Sequence, residues 1–248
     1  MPDSDIGDWF RSIPIITRWW FGLSIVFPLL GRIGLLNPYY MILDFSLVAY
    51  KFQIWRLFTS IVYFPLSPNT GFHYLINLYF LYNYSTRLES GVFDGRPADY
   101  LFLLIFNTIS LIFLGFAMKL MLLMDALILS VLYIWCQINK DQIVQFWFGT
   151  QFKAMYLPWV LAAFNMILGQ GGVMEITGIF VGHLYFFLMF KYPQDFGGRR
   201  LLSTPSILYN YLPNRRGGVS GFGQAPQARR QPDGRGGFPG GGQRLGDN

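Results

Sequence analysis

The sequence predicts an all-α integral membrane protein, with a bundle of six transmembrane helices followed by a disordered cytosolic C-terminal tail. Among its 248 residues, 53% are hydrophobic and 13% are charged, whereas soluble domains contain about 25% charged residues. The apolar residues are concentrated between Ile13 and Phe190, and almost none follow Asn214. Long apolar segments with few charges are typical of membrane-spanning helices.

Six apolar segments are long enough to cross a bilayer, because about 17 to 20 helical residues span roughly 30 Å of hydrocarbon. They are residues 15–36, 71–88, 99–117, 120–138, 152–170 and 172–190. The uncharged part of the first segment is short, because it lies between Arg18 and Arg32. Both arginine side chains can extend toward the headgroups. The fourth carries Asp125, which we expect near the end of that helix or facing a protein or water interior.

The distribution of Lys and Arg predicts the orientation of the chain. With six spans both termini lie on one side of the membrane, and that side carries all but four of the 19 basic residues. The four on the other side are Arg32, Lys51, Arg56 and Lys119. Since basic residues are enriched in cytosolic segments, both termini are predicted to be cytosolic.

These spans divide the chain into four parts. Residues 1–14 form a cytosolic N-terminal segment, 15–190 the membrane domain, 191–213 a juxtamembrane cytosolic segment, and 214–248 a tail rich in Gly and Arg. The tail cannot bury enough apolar surface to offset the entropy of ordering, so we predict disorder. Such segments can bind RNA, but membrane topology already explains the net charge of +6, and no nucleic-acid partner is expected.

Residues 37–70 are aromatic-rich but form no clean span, since Asp44, Lys51 and Arg56 interrupt every apolar window. We predict a luminal interfacial loop that lies on or partly in the membrane, where Tyr and Trp side chains suit the headgroup level. Within this loop, Trp55-Arg56 has two interpretations. It is either an interfacial Trp beside an Arg that binds headgroups, or part of a functional motif.

Two short patterns place polar residues or glycines at helical spacing inside the apolar spans. His73 and Asn77 are four residues apart, so they share one helix face, which should point into the bundle because both are costly in lipid. Gly178 and Gly182 have the same spacing and allow another helix to approach closely. His183 follows directly. The simplest role for each of these polar side chains is a hydrogen bond to a neighbouring helix. For His183, the alternative role is that of a general base.

These patterns resemble the rhomboid superfamily: WR in the first loop, HxxxN in the second helix and GxxxGH in the sixth. The resemblance implies the roles that these motifs have in rhomboid proteases. There, the HxxxN residues assist the oxyanion site, and the histidine of GxxxGH activates the serine of a GxSG motif. The fourth helix here reads DALILSVLYIWCQ, in which Ile128 and Val131 replace the glycines around Ser130. Bulky neighbours prevent the close backbone approach that substrate and oxyanion require. We therefore expect no catalytic residue and a packing role for Ser130, with an active rhomboid-type intramembrane serine protease as the alternative.

Further strings along the chain are similar to the Derlin family, which is proteolytically inactive within the rhomboid superfamily: DIGDWFRSIP, FQIWR, YSTRLE, FDGRPADYLF, YLPWV and GHLYFFLMF. The resemblance implies a multi-pass protein of the endoplasmic reticulum membrane. It implies a role in endoplasmic-reticulum-associated degradation, in which misfolded proteins are retrotranslocated to the cytosol. Implied partners are membrane ubiquitin ligases, the AAA ATPase valosin-containing protein, misfolded substrates and further copies of the chain.

The end of the tail fits FxGxGxxLG, which the resemblance identifies as the ATPase-binding motif of this family. Its residues are Phe238, Gly240, Gly242, Leu245 and Gly246. The Phe and Leu supply two apolar anchors, and the glycines let the backbone lie close to a partner surface, for example as an added strand.

The expected mechanism rests on the short first helix and on an inward polar face formed by His73, Asn77 and His183. Together they should thin the bilayer and provide a hydrated lateral opening that receives substrate segments. Two other kinds of site or function are disfavoured. The single cysteine, Cys136, excludes disulfides and Cys-based metal sites, and no metal or cofactor is expected. A solute transporter would usually show inverted repeats, and none is visible.

Overall fold

Helices make up most of the regular structure in the computed structural model, which describes residues 5–145, 149–167, 172–195 and 201–214. The helices are α1 Asp5–Ser12, α2 Ile15–Arg32, α3 Phe45–Lys51, α4 Trp55–Val62, α5 Gly71–Arg87, α6 Pro97–Met118, α7 Met124–Ile138, α8 Leu157–Ile167, α9 Val173–Phe186, α10 Tyr192–Asp195 and α11 Ser206–Tyr211. Strands β1 Ile143–Gln145 and β2 Gln151–Lys153 pair antiparallel. Wider helical turns at Leu88–Val92 and Phe187–Lys191 extend α5 and α9.

A helix lies at each of the six predicted positions, namely α2, α5, α6, α7, α8 and α9. The prediction of a mostly helical protein is confirmed. By length and composition, Pro97–Met118 and Val173–Asp195 are able to cross a membrane, whereas Met124–Ile138 and Ala154–Ile167 are apolar but shorter. The number of membrane crossings therefore stays a prediction.

Two predicted helix starts are too early. The fourth helix begins at Met124 rather than at 120, because Lys119 adopts a left-handed conformation (φ 58°) that ends α6 and is followed by a turn. The fifth begins at Leu157 rather than at 152, because Gln151–Lys153 pair with β1. The predicted loop 37–70 contains the short helices α3 and α4.

Helix α7 lies at the centre of the bundle. Every residue from Ala126 to Cys136 is buried, as expected of a helix that is apolar on all sides. It packs most extensively against α9 and also contacts α4, α5, α6 and α8. The residues of α7 therefore meet side chains from several helices.

A buried carboxylate joins the start of α2 to the end of α5. Glu89 accepts hydrogen bonds from the backbone N–H groups of Ile16 (3.0 Å) and Thr17 (2.7 Å) and from the Thr17 hydroxyl (2.7 Å). It thus satisfies two of the free amides at this helix start, and its charge opposes the helix dipole favourably. The Ser85 hydroxyl links Thr17 to the Tyr100 hydroxyl, so the ends of α2, α5 and α6 are held together.

Candidate functional site

The seam between α7 and α9 depends on two glycines. A Cβ atom at Gly178 would lie 2.5 Å from the Ala126 carbonyl oxygen, and one at Gly182 would lie 2.6 Å from the Ser130 carbonyl oxygen. These neighbours are backbone atoms of a helix and cannot rotate away. The predicted spacing of Gly178 and Gly182 therefore lies where the two backbones are in direct contact.

Ser130 is fully buried in this seam, and its hydroxyl is occupied by other helix atoms. It donates to the Leu127 carbonyl (2.8 Å) and accepts from the Asn107 side-chain amide (2.9 Å). Among the described residues, neither histidine bonds to Ser130. This geometry fits a packing hydroxyl better than a nucleophile, which needs a base within hydrogen-bond reach.

Five polar residues, which we call the polar cluster, meet at one end of the bundle: His73, Asn77, Asp125, Asn165 and Glu175. The amide nitrogen of Asn77 donates to Asp125 Oδ1 (2.7 Å) and lies 3.3 Å from His73 Nε2. The amide nitrogen of Asn165 donates to Glu175 Oε1 (2.8 Å). Four of these residues, all except His73, border a cavity of about 20 Å³. The cluster thus combines residues from α5, α7, α8 and α9.

Sequence reasoning identified His73 and Asn77 but did not place Asp125, Asn165 and Glu175 beside them. The two acidic residues lie in the first turns of α7 and α9. A carboxylate inside an apolar helix needs a polar partner, and this signal was present in the sequence. The partner helices could not be deduced from it, because the contacts join segments that are far apart in the chain.

The prediction that His183 shares a polar face with His73 and Asn77 is wrong. His183 is exposed, and its Nδ1 lies 2.8 Å from the Tyr133 hydroxyl, whereas His73 and Asn77 are buried. The reason is its position on α9: eight residues beyond Glu175 correspond to a displacement of about 12 Å along the helix axis. His183 therefore contacts the later part of α7, away from the polar cluster.

Arg56 organises the loop 37–70 from inside. Its side chain is fully buried, with Nη1 donating to the carbonyls of Tyr39 (2.6 Å) and Ile42 (2.8 Å) and Nε donating to Gln53 Oε1 (2.6 Å). The guanidinium also lies over the Tyr39 ring. Trp55 is half exposed, as an interfacial residue would be. The interpretation of Arg56 as a headgroup ligand is wrong, since its burial keeps headgroups away.

A groove of about 530 Å³ lies between α2, α4, α6 and α7, and we call it the apolar groove. Its walls include Trp19, Leu23, Phe58, Ile105 and Ile109. The predicted polar residues His73, Asn77 and His183 do not line it. This groove is therefore apolar, and not the hydrated polar opening that the sequence suggested.

The segment 201–214, which we call the strap, contacts both the apolar groove and the start of α6. Leu212 borders the groove. The hydroxyls of Thr204 and Tyr209 both donate to Asp99 Oδ1 at 2.6 Å, at the start of α6. Burial, followed by the hydrogen bond to Asp99, raises the pKa of Tyr209 above its ordinary value. The residues of the predicted ATPase-binding motif lie outside the part of the chain that the structure describes; they are Phe238, Gly240, Gly242, Leu245 and Gly246.

Comparisons with known proteins give a consistent result. Residues 13–206 match the model of the Der1-like family. The chain is 60% identical to Derlin-1 of Homo sapiens, over 98% of this chain and 99% of that protein. It is 50% identical to Derlin-1 of Caenorhabditis elegans, over 98% of this chain and all of that protein. A probable derlin-2 homolog of Dictyostelium discoideum is 32% identical over 83% of this chain and 82% of its own length.

Proposed function

This chain belongs to the Der1-like family, and on that basis we propose that it provides part of a membrane path for misfolded proteins leaving the endoplasmic reticulum. The resemblance to the Derlin family and its Derlin-1 type is confirmed. Membership supports a role in endoplasmic-reticulum-associated degradation of misfolded proteins, a location in the endoplasmic reticulum membrane, and a rhomboid-like fold without protease activity. The route, the topology and the partners are the proposal.

The apolar groove is the observation that carries this proposal. It lies beside α2, a helix of 18 residues that begins at Ile15 and ends at Arg32. At 1.5 Å per residue this helix is about 27 Å long, slightly less than the hydrocarbon thickness of roughly 30 Å. A short helix thins the bilayer locally. An apolar substrate segment enters from the side and lies against Ile105 and Ile109.

The shared ends of the helices support the proposed topology of six spans with both termini cytosolic. Hydrogen bonds join the start of α2, the end of α5 and the start of α6, and the strap binds beside them. The loop 37–70 instead bonds to the α6–α7 connection, through Leu43 to Met121 and Leu123 to Ser60. If successive helices cross the membrane in alternating directions, these two sets of helix ends must lie on opposite sides. The side with the start of α2 and the end of α5 is cytosolic, and the side with the loop 37–70 is luminal.

The tail recruits valosin-containing protein through Phe238, Gly240, Gly242, Leu245 and Gly246. Because the strap leads directly into the tail, the ATPase is held close to the cytosolic end of the apolar groove. A charged residue at the bilayer centre costs about 2.5–3.5 kcal/mol on insertion scales, so ATP-driven pulling is needed for polar segments. Membrane ubiquitin ligases and further copies of this chain complete the path.

Site-specific photocrosslinking tests the groove. A photoreactive residue replaces Ile109 in the full chain in microsomes that contain a misfolded substrate. The matched control replaces Phe180 of α9, which is similarly exposed (56% against 62%) but does not line the groove. We expect substrate adducts from position 109 and few from 180. Equal yields, or adducts only from 180, would show that the groove is not the path.

A further inference from the structure

A further cavity, which we call the polar pocket, lies where α1 meets α2. Its volume is about 450 Å³, within the range of roughly 300–1,000 Å³ that is typical of ligand sites. Residues 11–15 and Arg18 form one side, and residues between 89 and 97 form the other. Its lining includes charged residues of both signs, namely Arg11, Arg18, Glu89 and Asp94. The proposed path for substrates does not use this pocket.

Two of these four charges are held in place by the protein itself. Arg18 donates to the carbonyls of Arg11 and Ile13, and Glu89 accepts from the backbone at the start of α2. Arg11 and Asp94 are both exposed, and neither forms an ion pair within the described part of the chain. The pocket therefore presents a cation and an anion that are not paired with each other. A ligand with one anionic and one cationic group is complementary to this arrangement.

Helix α1 places the polar pocket at the level of the lipid headgroups. Ile6, Trp9 and Phe10 are exposed and lie three and four residues apart, so they form one apolar face of α1. Short helices with such a face lie in the membrane interface. Trp9 also packs against Tyr82 of α5, with 5.5 Å between the ring centroids. Because Arg11 is in the last turn of this helix, the pocket is within reach of a headgroup.

The polar pocket and the apolar groove meet at one residue. Ile15 lines both cavities, and Trp19 and Leu23, farther along α2, continue the wall of the groove. A charged cavity thus borders directly on an apolar one. A phospholipid has the same division, since its charged headgroup is joined to apolar acyl chains.

We propose that the two cavities together bind one phosphatidylethanolamine molecule. Arg11 pairs with the phosphate, to which Arg18 adds positive charge, and Asp94 binds the ammonium group. The acyl chains pass Ile15 and lie in the apolar groove, where burial of their surface stabilises the complex. The lipid and a substrate segment use the groove in turn, but lipid binding does not depend on the proposed path.

The lining of the polar pocket favours ethanolamine over the other common headgroups. An ethanolamine ammonium has three N–H donors, as Lys has, and Asp94 can accept from them. Choline has no such donor and is typically bound by an aromatic cage. Among the described residues that line the pocket, only Phe93 is aromatic, and it is buried with the Arg96 guanidinium over its ring. Serine would bring a second carboxylate toward Asp94 and Glu89.

Lipid binding to the purified full chain tests the proposal. The chain is prepared in detergent without added lipid, and native mass spectra and Tm are recorded with dioleoyl phosphatidylethanolamine, phosphatidylcholine or phosphatidylserine. We expect phosphatidylethanolamine to be retained at about one molecule per chain and to raise Tm saturably. The other two lipids should bind about fivefold more weakly, as expected for the loss of one exposed ion pair.

Four variants separate the two halves of the headgroup. Arg11→Gln should weaken all three lipids about fivefold, because each has a phosphate, whereas Asp94→Asn should bind phosphatidylethanolamine and phosphatidylcholine equally. The matched controls are Arg32→Gln, at the other end of α2, and Asp141→Asn, which removes an exposed carboxylate paired with Lys153. Both controls should bind as the unmodified chain does. All four positions are exposed, so the variants should fold.

Soluble glycerophosphoethanolamine distinguishes a lipid from a free headgroup. It should leave Tm unchanged at concentrations where the lipid saturates, because it has no acyl chains to occupy the apolar groove. Equal binding of the three lipids, an unchanged lipid preference in Asp94→Asn, or binding of the soluble headgroup as tight as that of the lipid would overturn the proposal. None of these measurements involves a substrate or the ATPase, so their failure would leave the proposed path to be tested by crosslinking.

Discussion

Substituting Gly182 with Ala should separate the two central helices. The added Cβ would lie 2.6 Å from the Ser130 carbonyl oxygen, whereas ordinary contact begins at 3.4 Å. The helices must therefore move apart by up to about 0.8 Å, the difference between these two distances. The Ser130 carbonyl cannot move aside by a side-chain rotation, because it belongs to the backbone of α7.

The magnitude follows from two opposing effects. Overpacking of a close-packed interior typically costs about 1–3 kcal/mol, while replacing a helical glycine by alanine gains up to about 1 kcal/mol from helix propensity. The shift of α9 affects the whole seam, so we expect the steric cost to dominate. A net loss of about 1–2 kcal/mol corresponds to a Tm lower by roughly 2–8 °C.

Thermal unfolding of the full chain in nanodiscs measures this effect. The matched control is Gly7→Ala in α1, where an added Cβ would meet no atom within 4 Å. The control should be unchanged or slightly stabilised, and Gly182→Ala destabilised. If both variants shift Tm in the same direction and by the same amount, the account of the seam is refuted. Gly182→Leu, if it folds, should also abolish substrate movement.

Three other predictions concern single side chains. Arg56→Ala should leave the Tyr39 and Ile42 carbonyls unpaired at about 1–3 kcal/mol each and should speed proteolysis within residues 37–70; an unchanged cleavage rate would contradict the buried role. The Ser46 hydroxyl and then the Leu47 N–H lower the pKa of Asp44, so its contribution to α3 should be full above the ordinary Asp pKa of about 3.9 and lost as pH falls through the lower folded value. Hydrogen exchange of α3 against pH should show this loss, and Asp44→Asn should remove it. Asn83 should carry no glycan despite its Asn-Tyr-Ser sequence, because the proposed topology places this end of α5 in the cytosol, and an endoglycosidase shift absent in Asn83→Gln would contradict that topology.

Hydropathy and glycine spacing were informative because each is a local property of one segment. Apolar length located the six helices, and the interval between Gly178 and Gly182 marked the face of α9 that meets α7. Helix starts were less accurate, since a left-handed Lys119 and a two-stranded pairing near Lys153 depend on structure that hydropathy does not register.

Contacts between distant segments could not be deduced in the same way. Asn165 and Glu175 join Asn77 and Asp125 only because four helix ends converge, and periodicity within one helix does not contain this information. Arg56 resembles a surface residue in sequence but is buried by carbonyls from the preceding loop. His183 follows a motif glycine directly, yet helix rotation and rise place it beside Tyr133.

The most direct test of the central claim couples the apolar groove to the tail. Microsomes carry the photoreactive residue at Ile109, in the otherwise unmodified chain or together with Leu245→Ala. Light is applied at successive times after valosin-containing protein and ATP are added. We predict that the adduct yield falls with time in the unmodified chain, as substrate leaves, and persists with Leu245→Ala. Identical time courses in the two chains would contradict the claim that this chain delivers substrate from the groove to the ATPase.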